Sequence, residues 1–252
     1  MKILPWMAIF LSTPALAFMS DREGSHIVSV SGGIVEPSFA TAVFQNPAGI
    51  AYIQGFQLGL QGGGGDSLSN PVYRGALLYG DHNFGVTGGV SNSAQQGTGV
   101  TTGFGGFGLN IPDLKMQIGA AAFTGISPSG GTSYNIGLIF NPSDKVRLGA
   151  TAVGVGATRE YGGGLAFKLD PSFSLVVDVS VDSNFKNANF QPGFVINSQT
   201  AALTFSYGTS PGSQEINHGL SAGVSVFLGN AVTWEAYYNH LDKFYTGLSI
   251  RL

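Results

Sequence analysis

From residue 55 onward apolar and polar side chains alternate with a period of two, the signature of a strand whose two faces meet different surroundings. The series Phe56/Leu58/Leu60, Tyr134/Ile136/Leu138/Phe140, Phe173/Leu175/Val177/Val179/Val181 and Leu220/Ala222/Val224/Val226/Leu228 are interleaved with Gln57, Gln61, Asn135, Ser174, Asp178, Ser180, Ser221 and Ser225. Turn residues divide the region into strands near 55–63, 72–80, 83–92, 99–109, 115–125, 133–141, 145–157, 160–169, 173–182, 189–197, 199–208, 217–228, 231–240 and 242–252. Fourteen strands are expected, or twelve if the hairpin at Ser198 or the one at 158–160 is not a turn. A soluble sandwich could alternate in the same way, so the connections decide. Those at 62–70, 93–98, 127–132, 184–188 and 209–217 are fairly long and polar, whereas those at 81–82, 112–114, 142–144, 170–172, 198 and 229–230 are short. Long-short alternation along a meander is expected of a membrane barrel whose rims face the cell exterior and the periplasm. The sequence therefore predicts an all-β fold, a transmembrane antiparallel up-and-down barrel with both termini periplasmic and its apolar face covered by outer-membrane lipid.

Aromatic residues agree, because Tyr73, Tyr79, Tyr134, Phe140, Tyr161, Phe167, Phe173, Tyr207, Trp234 and Tyr238 mostly fall toward strand ends on the apolar face. Two such girdles mark the lipid–water boundaries of a barrel. The last strand keeps the parity with Phe244, Leu248, Ile250 and Leu252. It resembles the C-terminal signal read by the outer-membrane assembly machinery, a partner expected during biogenesis, with Leu252 in place of the usual terminal aromatic.

Upstream, Lys2, the apolar run 3–11, Pro14 and Ala15-Leu16-Ala17 read as a signal peptide, residues 1–17, cleaved before Phe18. Pro14 interrupts the run far short of the roughly 20 apolar residues needed to cross a bilayer. Removing the leader leaves ten basic against 14 acidic residues, a balance that offers no patch for nucleic acid. Charged residues are 10% of the chain and glycines number 39, a composition that disfavours helices and suits strands and closely packed walls. With no cysteine, thiolate metal sites and thiol catalysis are excluded.

Residues 18–54 do not alternate, and they contain Ser38-Phe-Ala-Thr-Ala-Val-Phe-Gln-Asn-Pro-Ala-Gly-Ile-Ala-Tyr52. A short helix over 36–44 would gather Phe39, Val43 and Phe44 on one side, and Pro47 would force Asn46 out of helical backbone and turn the chain. Asn46 could then bond the wall and hold the segment across the lumen. The alternative is a periplasmic lid or a simple lead-in to the first strand.

The stretch Phe44, Asn46, Pro47, Ala48, Gly49, placed just before the first strand, resembles the N-terminal hatch of the FadL-like outer-membrane transporters of fatty acids and hydrocarbons. The resemblance implies a signal peptide at 1–17, a hatch at 18–54 and a barrel at 55–252. It also implies passive uptake of a hydrophobic small molecule, with no cofactor and no metal. Candidate lining residues are Phe39, Val43, Ile50, Tyr52, Phe123, Ile139, Val176 and Phe227. In that family a kinked early strand opens sideways into the bilayer, and Gly85, Gly88, Gly89, Gly103 and Gly105 mark the expected place here. The long connections are nevertheless much shorter than those of a full-length family member.

By parity the lumen receives Arg74, Arg147, Lys168 and Arg251, which could meet a carboxylate head group or pair with Asp178, Asp182 and Glu235. A non-specific channel or a structural barrel remains the alternative. A barrel enzyme is a remote one, since His240 with Asp242, Asp182 and Glu160 near the rim have no motif spacing and His26, His82 and His218 are scattered.

Overall fold

The computed structural model describes residues 33–35, 37, 42–64, 71–95, 98–127, 129–156, 160–182, 188–209, 218–229, 231–239 and 243–252. The expected leader at 1–17, Phe39, His26 and His240 lie outside them. A short helix α1 (Ala42–Gln45) and a 3-10 helix (Pro47–Tyr52) precede the strands β1 (Gln54–Gly64), β2 (Pro71–Asp81), β3 (Phe84–Gln95), β4 (Thr98–Ile111) and β5 (Met116–Ser127). There follow β6 (Ser129–Ser143), β7 (Val146–Val155), β8 (Glu160–Asp170), β9 (Phe173–Asp182) and β10 (Ala188–Asn197). The chain ends with β11 (Ala201–Thr209), β12 (His218–Leu228), β13 (Val232–Asn239) and β14 (Lys243–Arg251). Each strand pairs antiparallel with its sequence neighbours, and β14 returns to β1 with Leu58 opposite Ile250, closing a barrel of 14 strands without an edge. The hairpin at Ser198 is real, so the twelve-strand alternative falls.

Turn chemistry fixes the short rim. Asp81 Oδ1 accepts from the backbone N–H groups of Asn83 and Phe84 at 3.1 and 2.9 Å, and Asp170 Oδ1 accepts from Ser172 at 2.6 Å. Ser198 Oγ accepts from Thr200 and Ala201. A short Asp or Ser side chain reading the backbone two or three residues on stabilises a tight reversal. At the other rim two connections are shorter than expected: β3 ends at Gln95 with β4 starting at Thr98, and β5 ends at Ser127 with β6 starting at Ser129. Pairing there simply continues past the expected ends, with Gln95 opposite Thr98.

The wall alternates as the sequence pattern requires. Outward positions include Leu60, Leu77, Val90, Ile136, Leu165 and Leu203, all exposed on the protein itself. Inward positions include Gln57, Gln61, Arg74, Gln117, Asn135, Asp178 and Glu235, all buried. Apolar outside and polar inside is the arrangement of a wall whose solvent is hydrocarbon, because a closed barrel satisfies every strand N–H and C=O without water. Tyr79 and Phe167 stand outward near the short rim, and Tyr73, Tyr207 and Tyr238 near the other, as the girdle pattern anticipates.

Candidate functional site

Residues 42–53 lie flat against the inner face of the wall rather than across the lumen as expected. What permits this is a row of inward-facing glycines standing directly opposite one another: Gly80 to Gly85, Gly85 to Gly108, Gly108 to Gly119 and Gly119 to Gly137, one from each of β2 to β6. A methyl on Gly80 would overlap the Ile53 carbonyl oxygen, one on Gly85 the Ile50 oxygen, one on Gly108 the Ala51 nitrogen, and one on Gly119 the Pro47 carbonyl. On Gly137 it would overlap the Asn46 amide oxygen. The missing side chains bring two backbones into contact, which is the positional use of glycine in a strand. Further round, Gly149 lies beneath Ile34, where a methyl would come within 2.8 Å of the Ile34 oxygen, and Gly164 lies beneath Val35.

Asn46 holds the turn. It is fully buried and extended (φ −147°, ψ 98°), and its Oδ1 accepts from Ala48 N–H at 3.1 Å, capping the 3-10 helix that Pro47 opens. Its Nδ2 donates to the Ile34 oxygen at 2.7 Å and the Leu138 oxygen at 3.2 Å, tying the upstream piece to the turn and the turn to β6. Asn135 supplies the reciprocal contact, its Nδ2 reaching the Val43 and Phe44 oxygens at 3.2 and 3.0 Å, carbonyls at the end of α1. A bulge aims it. Pairing between β6 and β7 shifts between Tyr134 and Ile136, Gly154 takes φ +65°, and its N–H donates to Asn135 Oδ1 at 2.9 Å. The buried Asp178 carboxylate on β9 accepts from Ile34 N–H at 3.1 Å.

The lumen side of the segment is apolar. Val43, Ile50 and Ile53 form one buried cluster with Ala42, Leu78, Phe104 and Ala121, against which Phe44, Ala76 and Phe123 pack. The Phe44 ring meets Phe104 edge-on at 5.1 Å between centroids and Phe123 at 5.4 Å. The Arg74 guanidinium lies 4.5 Å from the Phe44 centroid and donates to Gln61 Oε1 at 2.8 Å. Such stacking adds about 0.5–2 kcal/mol. Toward the short rim Tyr52 donates to Gln117, which Asn141 also reaches, and Arg147 donates to Asn141 Oδ1 at 2.8 Å.

Of the expected lining residues, Val43, Ile50 and Phe123 thus meet in one cluster, while Val176 joins a second one with Val35, Ala166 and Val195. Ile139 is buried on β6 outside these clusters, and Phe227 is half-buried on the distant β12. Leu78 and Phe104 were not anticipated, and neither was the glycine row. The five glycines expected to mark a lateral opening divide between faces. Gly85 and Gly89 turn inward, whereas Gly88, Gly103 and Gly105 face outward, with Gly88 directly opposite Gly105. The β3–β4 ladder runs unbroken from Phe84/Leu109 to Gln95/Thr98, and the register shifts lie in other hairpins, one of them between Thr101 and Thr102 of β4 as it pairs with β5. Among the enzyme candidates, Glu160 is buried in β8 and the His82 ring sits 3.0 Å from Gln54 Nε2 in a turn. No cluster of metal-ligating groups is found among the described residues.

A closed meander with a hydrocarbon-covered exterior, a polar inner wall and a non-strand segment pressed to that wall defines an outer-membrane β-barrel. No family model matches the sequence, and no curated protein matches it. Among solved structures the chain is similar to the Ralstonia pickettii toluene transporter TbuX at a TM-score of 0.58 and 12% identity, over 83% of this chain and 91% of that one. It is similar to a Pseudomonas aeruginosa FadL homologue at a TM-score of 0.58 and 10% identity, over 87% and 96%. It is similar also to the TodX deltaS2S3 mutant monoaromatic hydrocarbon channel, at 0.58 and 10% over 83% and 92%. The barrel therefore has the fold of the FadL-like proteins.

Proposed function

We propose that this protein admits hydrophobic small molecules, of the long-chain fatty-acid or hydrocarbon type, passively across the outer membrane. Residues 18–54 act as the hatch. The observation that carries the reading is the aromatic group Phe44, Phe104 and Phe123 standing inside a barrel whose inner wall also carries polar side chains such as Gln57, Gln61 and Gln117. An apolar surface kept in the lumen favours greasy solutes by the area it covers and disfavours ions. Arg74 beside it offers a cation near a carboxylate head group. The names of the similar transporters point the same way, and the short connections argue against a large outer capture groove.

A lateral exit belongs to this reading at β3 and β4, where Gly88 and Gly105 leave the lipid-facing wall bare, and opening it has to part a continuous ladder. A non-specific channel is the second reading, favoured by the buried hydroxyls Thr204, Ser206, Ser221 and Ser225 lining β11 and β12. Titrating the detergent-solubilised protein with a fluorescent long-chain fatty acid separates the two. Saturable binding that weakens in Phe123→Ala supports uptake, and absence of saturable binding leaves the channel.

A further inference from the structure

Contacts around residues 46–53 tie this part of the hatch segment to the wall along its whole length. Between Ile53 and Asn46 the segment crosses five consecutive strands, and on each it rests on a glycine of one continuous register row. Four of its own N–H groups are satisfied within residues 42–53, which keeps the segment's shape. Asn46 N–H donates to the Ala42 oxygen, Gly49 N–H to the Asn46 oxygen, Ile53 N–H to the Ile50 oxygen, and Ala48 N–H to the Asn46 side chain. Further round the wall Asp178 takes the Ile34 N–H, and Gly149 and Gly164 admit Ile34 and Val35. Pro47, Ala48, Gly49, Ile50 and Ala51 are all buried. Leaving the seat would strip the packed surface, uncover backbone groups of the hoop and put nothing in the glycine notches, since the wall cannot close over a missing side chain.

We propose that residues 46–53 are a fixed inner layer of the barrel wall, a hoop seated on the glycine row Gly80–Gly85–Gly108–Gly119–Gly137. Solute passes beside the hoop, and the parts that yield are side chains of the aromatic group around Phe44. The seat is independent of the uptake reading, while the statement about what yields rests on it. The moving part is in this way reduced from a peptide segment to a few rotamers, which change on far shorter timescales than a segment undocks.

Hydrogen exchange on the full-length protein in detergent, with and without oleic acid, reads the backbone directly. Amides of 46–53 are expected to exchange within about tenfold of those in β4 and β5, and oleate is expected to leave them unchanged within about twofold. Exchange about a hundredfold faster than the wall, or a tenfold acceleration by oleate, overturns the fixed layer. If oleate does not bind at all, the uptake reading fails and the oleate-free comparison still decides the seat. Gly119→Ala, whose methyl would overlap Pro47, is expected to unseat the hoop, raising exchange across 46–53 and opening a steady ion conductance. Gly59→Ala, an inward glycine whose nearest neighbour would stand 3.6 Å from the new methyl, is the control expected to do neither. Equal behaviour of the two folded variants contradicts the seat.

Discussion

Asn46 and Gly137 share one position in the barrel: the amide oxygen of the first occupies the place a side chain of the second would take. The pair couples a segment before the barrel to β6, and each member is interpretable only through the other. Asn46→Ala removes three hydrogen bonds and leaves the Ile34 and Leu138 oxygens without this donor, at about 1–3 kcal/mol for each buried group. Asn46→Asp keeps an acceptor for Ala48 N–H but turns a carboxylate toward two carbonyl oxygens. Both variants are expected to expose 46–53 to protease while the barrel keeps its heat-modifiable migration, with the Asp variant no better than Ala. Protection equal to wild type in both would contradict the role given to Asn46.

Asp178 is a buried carboxylate on β9 that accepts from the Ile34 N–H. Asp178→Ala removes that acceptor and is expected to loosen residues 33–35 by about 1–3 kcal/mol, while the Asn46 bonds to Leu138 and Ala48 persist. Exchange of amides 33–35 should rise while that of 46–53 stays near wild type. A uniform rise would show one cooperative unit instead of two anchor points.

Phe44→Ala opens the aromatic group and removes the ring under Arg74. Half-buried as it is, the ring's loss is expected to weaken binding of a fluorescent fatty acid by about 5–30-fold, the equivalent of roughly 1–2 kcal/mol. Phe44→Leu should recover part of the apolar surface and none of the stacking. Unchanged affinity in the Ala variant would remove Phe44 from the path.

Gly88→Cys with Gly105→Cys places two thiols directly opposite on the lipid face of a chain that has no cysteine of its own. Opposed strand positions lie about 4.5–5.5 Å apart between Cα atoms, a separation a disulfide can span. Oxidation is expected to slow fatty-acid entry into proteoliposomes and to leave ion conductance unaltered. Entry that ignores the cross-link would place the exit elsewhere.

The barrel was legible because its two faces alternate residue by residue: Leu58 and Leu60 against Gln57 and Gln61 already give strand, face and lumen lining. Short rims carried their own signal in Asp81, Asp170 and Ser198. The hoop was harder to read. Asn46 and Pro47 announce a turn, yet nothing local says whether it crosses the lumen or follows the wall. That answer lies in Gly80, Gly85, Gly108, Gly119 and Gly137, which look like scattered small residues until hairpin registers line them up. Phe104 escaped notice for a related reason, since its neighbours Gly103, Gly105 and Gly106 hide the alternation that assigns a face.

Single-channel conductance of the purified protein in a planar bilayer, intact and lacking residues 18–54, tests the whole picture most directly. A barrel lined on β2 to β6 by a seated segment is expected to pass only small or brief currents when intact and a large, steady current once the segment is deleted. A large steady conductance in the intact protein, unchanged by the deletion, would contradict it.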